Sequence, residues 1–347
     1  MAAPIKVHII TGFLGAGKTT FLNRILKDVA CENVAIIVNE FGAISLDHFF
    51  YDIEDDSIIH LENGCLCCTM RGALIDNLLL FLEKWEKLPQ RAVEHLFIET
   101  TGLADPGPIL QAFLSHPILY RNFCLGGFYT IVDAIKGYDT LKNFPQARQQ
   151  VVLADYILLS KKEEASKEDV SILEHYLLHI NNQSPIYSVE DLSFEKIISA
   201  SIFIPNETKL EKNVNLLAFE PIAQNIKSFS FSYIGTLDPY RIDALLCAIV
   251  SSYGADILRF KGLVCLVGEE KFVALHSVQG LAHPPYLLQG EFLQKEQGRC
   301  FFVFIAQNIE ELELKNLLDS FFDIPSLDRP DQQALLENPL AITGLKF

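Results

Sequence analysis

The sequence predicts an α/β protein, a phosphate-loop domain on a mostly parallel sheet followed by a smaller α+β domain. Three observations predict it. The chain opens with a strand, a glycine-rich loop and a helix, in that order. Short apolar runs then alternate with helical periods to about residue 190, and beyond residue 226 the pattern changes to strict alternation. The opening strand is Ile5–Ile10, and Gly12-Phe13-Leu14-Gly15-Ala16-Gly17-Lys18-Thr19 completes a G-x-x-x-x-G-K-[ST] loop. Phe21, Leu22, Ile25, Leu26 and Val29 then recur with the spacing of one helical face. Gly12, Gly15 and Gly17 let the backbone turn so that its N–H groups point at phosphate oxygens, and the helix N-terminus adds favourable partial charge. In such a loop Lys18 reaches the β- and γ-phosphates and the Thr19 hydroxyl binds Mg²⁺. A glycine-rich turn matching by chance is the plain alternative, and the flanking strand and helix argue against it.

The remaining elements follow in order. Val34–Val38 is the next strand and ends at Asn39-Glu40-Phe41-Gly42; Ile58–Leu61 is a further apolar run, ending at Glu62-Asn63-Gly64-Cys65. A helix carries Leu74, Leu78, Leu82 and Trp85 on one face. His95–Ile98 is a strand that delivers Glu99-Thr100-Thr101-Gly102, Phe128–Val132 ends at Asp133, and Tyr156–Leu159 stops at Ser160-Lys161-Lys162-Glu163. Ile172 to Ile180 is helical in period. This βαβ rhythm implies a mostly parallel sheet covered by helices on both faces, with ligands at the strand ends. The domain is assigned to 1–190 and a connector with Pro205 and Pro221 to 191–225. An α+β domain occupies 226–322 and an extended tail 323–347. In the second domain Phe229–Tyr233 alternates strictly, and Pro239 opens a helix with Ile242, Leu245, Leu246 and Ile249 on one side. Strands are expected at Gly262–Val267, Lys271–His276 and Cys300–Ala306, then a closing helix running through Leu312, Leu317 and Phe321.

Composition bounds the function. The 347 residues carry 28 Lys and Arg against 44 Asp and Glu, a net charge of −16, which is the wrong sign for a phosphate-backbone binder; no nucleic-acid partner is expected. No run of about 18 apolar residues appears, so no membrane span is expected. The chain enters a strand almost at once, leaving no room for a signal peptide, and a cytoplasmic location follows. Of eight cysteines, Cys31, Cys124, Cys247, Cys265 and Cys300 stand singly in apolar surroundings and are expected to be small buried hydrophobes. Cys65, Cys67 and Cys68 fall within four residues, a spacing for a soft-metal site or a thiol redox switch rather than a disulfide framework.

Three further constellations bear on chemistry. In Glu99-Thr100-Thr101-Gly102 the acid suits a place near Mg²⁺ and the Gly102 N–H can touch a γ-phosphate. Leu103 follows, so no Gln orients water there and unaided hydrolysis is expected to be slow. In Ser160-Lys161-Lys162-Glu163 the carboxylate can pair with the guanine N1–H and 2-amino group while the Lys161 stem lies over the base; adenine offers no matching donor pair. The bland alternative is a charged solvated turn. If the cysteine segment is extended, Cys65 and Cys67 share one side and Cys68 faces the other, so ligands from elsewhere are needed. His116, on the segment after the Glu99 motif, is the nearest candidate, although a lone His in an apolar stretch is usually structural.

The runs GFLGAGKTT, NEFG, GCLCC, ETTGLADPGPI and VDA, in this order, resemble the CobW-like metal-handling P-loop GTPases over about residues 5–190. Leu258-Arg259-Phe260-Lys261-Gly262 and Val278-Gln279-Gly280 resemble that family's C-terminal domain. The resemblance implies that Gly12, Gly15, Ala16, Gly17, Lys18, Thr19 and Thr20 hold the triphosphate, that Glu40 and Glu99 are switch acids near Mg²⁺, and that Cys65, Cys67 and Cys68 are metal ligands. It implies a GTPase that alternates between GTP and GDP and hands a transition metal, zinc before cobalt or nickel, to a metal-requiring client protein. A nucleotide-dependent homodimer is left open. The chain departs from the family pattern at Ala43, in SKKE, and in having no His-rich loop between domains. Two other classes stay open at this point: a P-loop enzyme acting on a small molecule with structural zinc, and a redox-regulated interaction protein.

Overall fold

The computed structural model describes residues 4–27, 34–38, 70–86, 93–199, 226–268, 271–288 and 298–323. β1 (Ile5–Gly12) is buried on both faces and runs into α1 (Lys18–Lys27). β2 (Val34–Val38), α2 (Met70–Glu86), β3 (His95–Glu99), α3 (Gly107–Ser115) and α4 (Pro117–Asn122) follow, then β4 (Phe123–Asp133), α5 (Gly137–Asn143) and α6 (Pro145–Val152). β5 (Tyr156–Ser160), α7 (Lys167–Ile180), β6 (Ile186–Ser188) and α8 (Phe194–Ser199) close the first domain. Its strands form a parallel six-stranded sheet in the order β2-β3-β1-β4-β5-β6. The order reverses at β1, the place where such sheets open a crevice for a ligand.

Alternation along the strands separates two cores. Ile5, Val7 and Ile9 of β1 join Leu96 and Ile98 of β3 and Ile157 and Leu159 of β5 on one face, against α2, α3, α6 and α7. Ile10, Phe97, Tyr129, Ile131 and Leu158 occupy the other face with Phe21, Leu22 and Ile25 of α1. Leu192, Phe194 and Ile197, from the start of the expected connector, also pack there, because α1 alone leaves that face partly uncovered. β4 begins five residues earlier than the sequence suggests. Cys124 to Gly127 extend the pairing with β1 through an irregularity at Val7/His8. α7 likewise starts earlier than expected, where the Ser166 side chain caps the Asp169 N–H.

The second domain is an antiparallel sheet, β10-β9-β8-β11-β7, made of β7 (Ile226–Ile234), β8 (Ile257–Cys265), β9 (Phe272–Val278), β10 (Leu281–Leu288) and β11 (Arg299–Gln307). α9 (Pro239–Tyr253) and α10 (Glu311–Phe321) share its core with Phe260, Phe302 and Phe304. Ile242, Leu245, Leu246 and Ile249 are buried as expected. α10 buries Leu314 and Leu318, packs Leu317 and Phe321 half-buried against the same core, and leaves Leu312 exposed in its first turn. Of the single cysteines, Cys265 and Cys300 are buried, Cys124 is half-buried and Cys247 is exposed. Cys247 departs from expectation because it falls outside the inward stripe of α9. Cys31, the Ile58–Leu61 run and the tail lie outside the described residues. Among the described residues no helix is long and apolar enough to cross a membrane.

Candidate functional site

Strand registers bring the motifs to one edge. Val38 pairs with Glu99, Ile10 with Glu99, Gly12 with Ile131 and Asp133 with Ser160, so β1 to β5 end side by side. The phosphate loop leaves β1 there, with φ of 73° at Gly15 and 88° at Gly17, values an L side chain resists. Ala16 is buried at its base, and Thr20 is exposed one residue into the helix beyond Thr19. Lys18 is almost fully buried and its Nζ donates to the Gly12 carbonyl at 3.0 Å and to that of Phe13 at 3.2 Å. The Thr19 hydroxyl donates to Glu99 Oε1 at 2.7 Å, across 80 residues of sequence. A buried carboxylate beside a hydroxyl at the mouth of the loop is an oxygen pair of the kind Mg²⁺ takes.

The segment after β3 is tied to the loop. The Thr100 N–H donates to the Ile10 carbonyl at 2.9 Å and its hydroxyl to Thr11 Oγ1 at 2.8 Å. Gly102 lies so close to the loop that a Cβ there would fall 2.6 Å from the Leu14 nitrogen, a backbone contact that cannot give way. Gln150 of α6, wholly buried, donates through Nε2 to the carbonyls of Gly102 (3.1 Å) and Ala104 (3.2 Å). The sequence reading did not single out Gln150, because an amide on a short helix reads as a solvated residue.

On the other flank, Ser160 Oγ donates to the Ala16 carbonyl at 2.7 Å. Lys161, held at φ 55°, donates from Nζ to the Gly15 carbonyl at 3.1 Å and to Asp133 Oδ2 at 2.5 Å. Burial alone would raise the Asp133 carboxyl, but the Lys161 ammonium and the N–H groups of Lys136 and Ile135 bring it below the usual carboxylate range. Glu163 is exposed on the same turn. A cavity of about 240 Å³ opens between the loop and α5, lined by Leu14, Gly15, Asp133, Lys136, Thr140 and Gln150 among others.

His116 is not gathered into this edge. It joins α3 to α4, seven residues before Phe123, and Phe123 pairs with Ile5 at the opposite end of β1. α3 spans nine residues, which puts roughly 14 Å of helix between its two ends. Glu40, Cys65, Cys67 and Cys68 lie outside the described residues, and among those described no group of three or more His, Cys, Asp or Glu side chains gathers for a metal.

Comparison with known proteins agrees with this arrangement. Residues 6–188 match the model of the CobW/HypB/UreG nucleotide-binding domain, and residues 226–322 match that of the cobalamin synthesis protein cobW C-terminal domain. The zinc chaperone YjiA of Escherichia coli is 32% identical over 280 residues, covering 80% of this chain and 87% of that protein. The zinc-regulated GTPase metalloprotein activator 1 of Schizosaccharomyces pombe is 35% identical over 185 residues, 51% of this chain and 44% of that one. The crystal structure of Zn(II)-bound YjiA GTPase superposes with a TM-score of 0.60 at 30% identity, over 92% of this chain and 99% of that one.

Proposed function

The chain belongs to the CobW/HypB/UreG family of nucleotide-binding proteins, with a cobW C-terminal domain behind the nucleotide domain, and on that premise we propose that it is a GTP-hydrolysing metallochaperone. It couples the state of the nucleotide to binding and release of a transition metal for a client protein that needs one. Two relatives carry names that support this, a zinc chaperone and a zinc-regulated GTPase activator of metalloproteins, and zinc is therefore the proposed cargo. The observation that carries the reading is the tie between loop and switch. Thr19 bonds Glu99, and three residues later Gly102 rests against Leu14. Anything that displaces the loop's mouth must displace the segment after β3.

In this reading the loop from Gly12 to Thr20 binds the triphosphate through its N–H groups, and Lys18 supplies positive charge at the β- and γ-phosphates. Mg²⁺, where bound, neutralises developing phosphate charge; Thr19, Glu99 and Glu40 would hold it. The Gly102 N–H would donate to the γ-phosphate, with Gln150 holding the Gly102 carbonyl from behind. Ser160 and Lys161 brace the loop from the base side, leaving Glu163 to accept from guanine. Cys65, Cys67 and Cys68 are the proposed thiolate ligands of the metal. His116 would join them only from the far end of α3.

The test is a competitive zinc titration against a chromophoric chelator, first with GDP and then with a non-hydrolysable GTP analogue. A coupling on the order of 1–3 kcal/mol separates the curves, and by reciprocity zinc shifts nucleotide affinity by the same factor. Replacing Cys65 and Cys67 together removes the shift and leaves nucleotide binding in place. Superimposable wild-type curves would mean that metal and nucleotide are independent, and the chaperone reading would fall.

A further inference from the structure

We propose that the outer side of α7 carries a second metal site, formed by His175 and His179, for a borderline divalent cation of the zinc, nickel or copper class. The two residues stand four apart, one above the other on a helical face. Their Nε2 atoms face each other at 3.2 Å, with ring centroids 4.8 Å apart and ring planes at 84°. Two imidazole nitrogens on one tetrahedral zinc, each about 2.05 Å from the metal, lie about 3.3 Å apart. The pair therefore stands at ligand spacing already, and a cation at its midpoint side needs only a small tilt of each ring.

The chemistry of the contact also favours a cation. Only one of two facing ring nitrogens can carry the proton of a hydrogen bond between them, so the pair shares a single donor. With both rings protonated at Nδ1, a metal ion takes both Nε2 lone pairs at once. The backbone below is firmly seated. Val170, Leu173, Tyr176, Leu177 and Ile180 are buried on the opposite side of α7, and Ser166 caps its start. Neighbouring Glu174 is engaged by Lys162 at 3.0 Å.

Two nitrogens make an incomplete set, and no third His, Cys, Asp or Glu gathers with them among the described residues. The remaining positions go to water or to donors on an incoming carrier. That makes the site exchangeable: it accepts a metal from solution and yields it readily, unlike a thiolate trio. The inference rests on the two rings and owes nothing to the nucleotide switch.

The experiment measures zinc stoichiometry and affinity of the full chain by competition with a chelator. It uses the wild type, His175→Ala/His179→Ala, Cys65→Ser/Cys67→Ser and the combined variant, each checked for fold by circular dichroism. His179 is exposed and His175 half-buried, and neither belongs to the buried stripe of α7, so the variants are expected to fold. The cysteine variant is expected to keep a weaker equivalent of zinc that loses at least tenfold in affinity when the histidines go. Titration with Cu²⁺ is expected to give two-nitrogen coupling in its electron paramagnetic resonance spectrum, lost in the histidine variant. No weaker equivalent in the cysteine variant, or one that survives removal of both histidines, would overturn the proposal. If the histidine-dependent equivalent is seen while the cysteine replacements change nothing, this site stands and the thiolate reading fails instead.

Discussion

Single side chains hold the nucleotide edge in place, and each makes a distinct demand. Lys18 is the charge of the loop, so Lys18→Ala is expected to abolish GTP turnover with an unchanged circular dichroism spectrum. Full turnover in that variant would end the nucleotide reading. Gln150 acts one step back, through Gly102. Gln150→Leu keeps the bulk and removes the two bonds, leaving the Gly102 and Ala104 carbonyls buried and unpaired at about 1–3 kcal/mol. The expected result is a fall in kcat for GTP with KM much less affected, because the loop that binds the phosphates is intact; equal changes in both would mean a general loss of structure. His8 makes a different demand. It is wholly buried in β1 against His95 (Nε2 to Nδ1, 3.0 Å) and is stacked on Phe97. Burial, then the nearby charges of His95 and Lys6, push its pKa from 6.5 down to about 3. The folded state thus keeps His8 neutral while the unfolded chain takes up a proton below pH 6.5. Stability is complete above pH 6.5 and declines as pH falls toward 3, by about 1.4 kcal/mol per unit from this group. Urea unfolding at pH 7.5 and 5.5 measures the slope, and His8→Leu is expected to flatten it by about half a proton averaged over that interval. An unchanged slope would assign the acid sensitivity elsewhere.

Elements decide which faces are covered, and α8 shows how. Arg24 of α1 donates to the Val189 carbonyl and, at 3.0 Å, to that of Leu192, which brings the chain after β6 back across the sheet. Phe194 then sets its ring edge-on to His95, and the Tyr129 hydroxyl donates to the Ile197 carbonyl at 3.1 Å. Phe194→Ala removes a buried aromatic from the thinner of the two covers, for an expected loss of about 3–5 kcal/mol in global unfolding. A loss under ~1 kcal/mol would show that α8 opens independently. The sequence places this stretch in the connector, because no strand or helix pattern marks it off from the segment with Pro205 and Pro221, and six residues are too few to display a helical period. β10 was missed for a related reason: Pro284 and Pro285 interrupt its alternation, and the register with β9 shifts between His283 and Tyr286. What was legible is what local spacing encodes: the phosphate loop, the strand-end motifs and the inner face of α9. Gln150 with Gly102, His8 with His95, and Asp155 with Arg259 join residues 48, 87 and 104 apart, and no local pattern marks such pairs.

The two domains share one core and one buried ion cluster. Ile226, Leu258, Val278 and Ile305 of the second sheet pack into the first domain's larger core. Asp155, just before β5, accepts from Arg259 at 2.6 Å, from Lys261, and from the Phe128 N–H at 2.8 Å. Burial would raise its carboxyl, yet Arg259 and Lys261 hold it below the usual range. This clamp fixes β8 to the base of β5. A second contact meets the segment that the proposed switch would move. α3 begins two residues after Asp105, directly behind the turn that carries Gly102. A Cβ on Gly107 would meet the Gln279 side chain at 2.5 Å, and Gln111 Nε2 donates to Gln279 Oε1 at 3.2 Å. Gln279 holds φ 47° to reach this place, a left-handed backbone that costs a non-glycine residue about 1–2 kcal/mol. On the proposed function, a γ-phosphate that repositions Gly102 would shift the start of α3 against a turn anchored from β8. Hydrogen exchange over 272–288 is expected to differ between GDP and a GTP analogue in the wild type. Gln279→Gly relieves the backbone and deletes the contact, so stability is expected to stay within about 1 kcal/mol while the nucleotide-dependent difference disappears. Gly107→Ala presses on the same turn and is expected to hold it in one exchange pattern whichever nucleotide is bound. Identical exchange in the two states of the wild type would leave the second domain deaf to the nucleotide, and metal release would then have to be governed within the first domain alone.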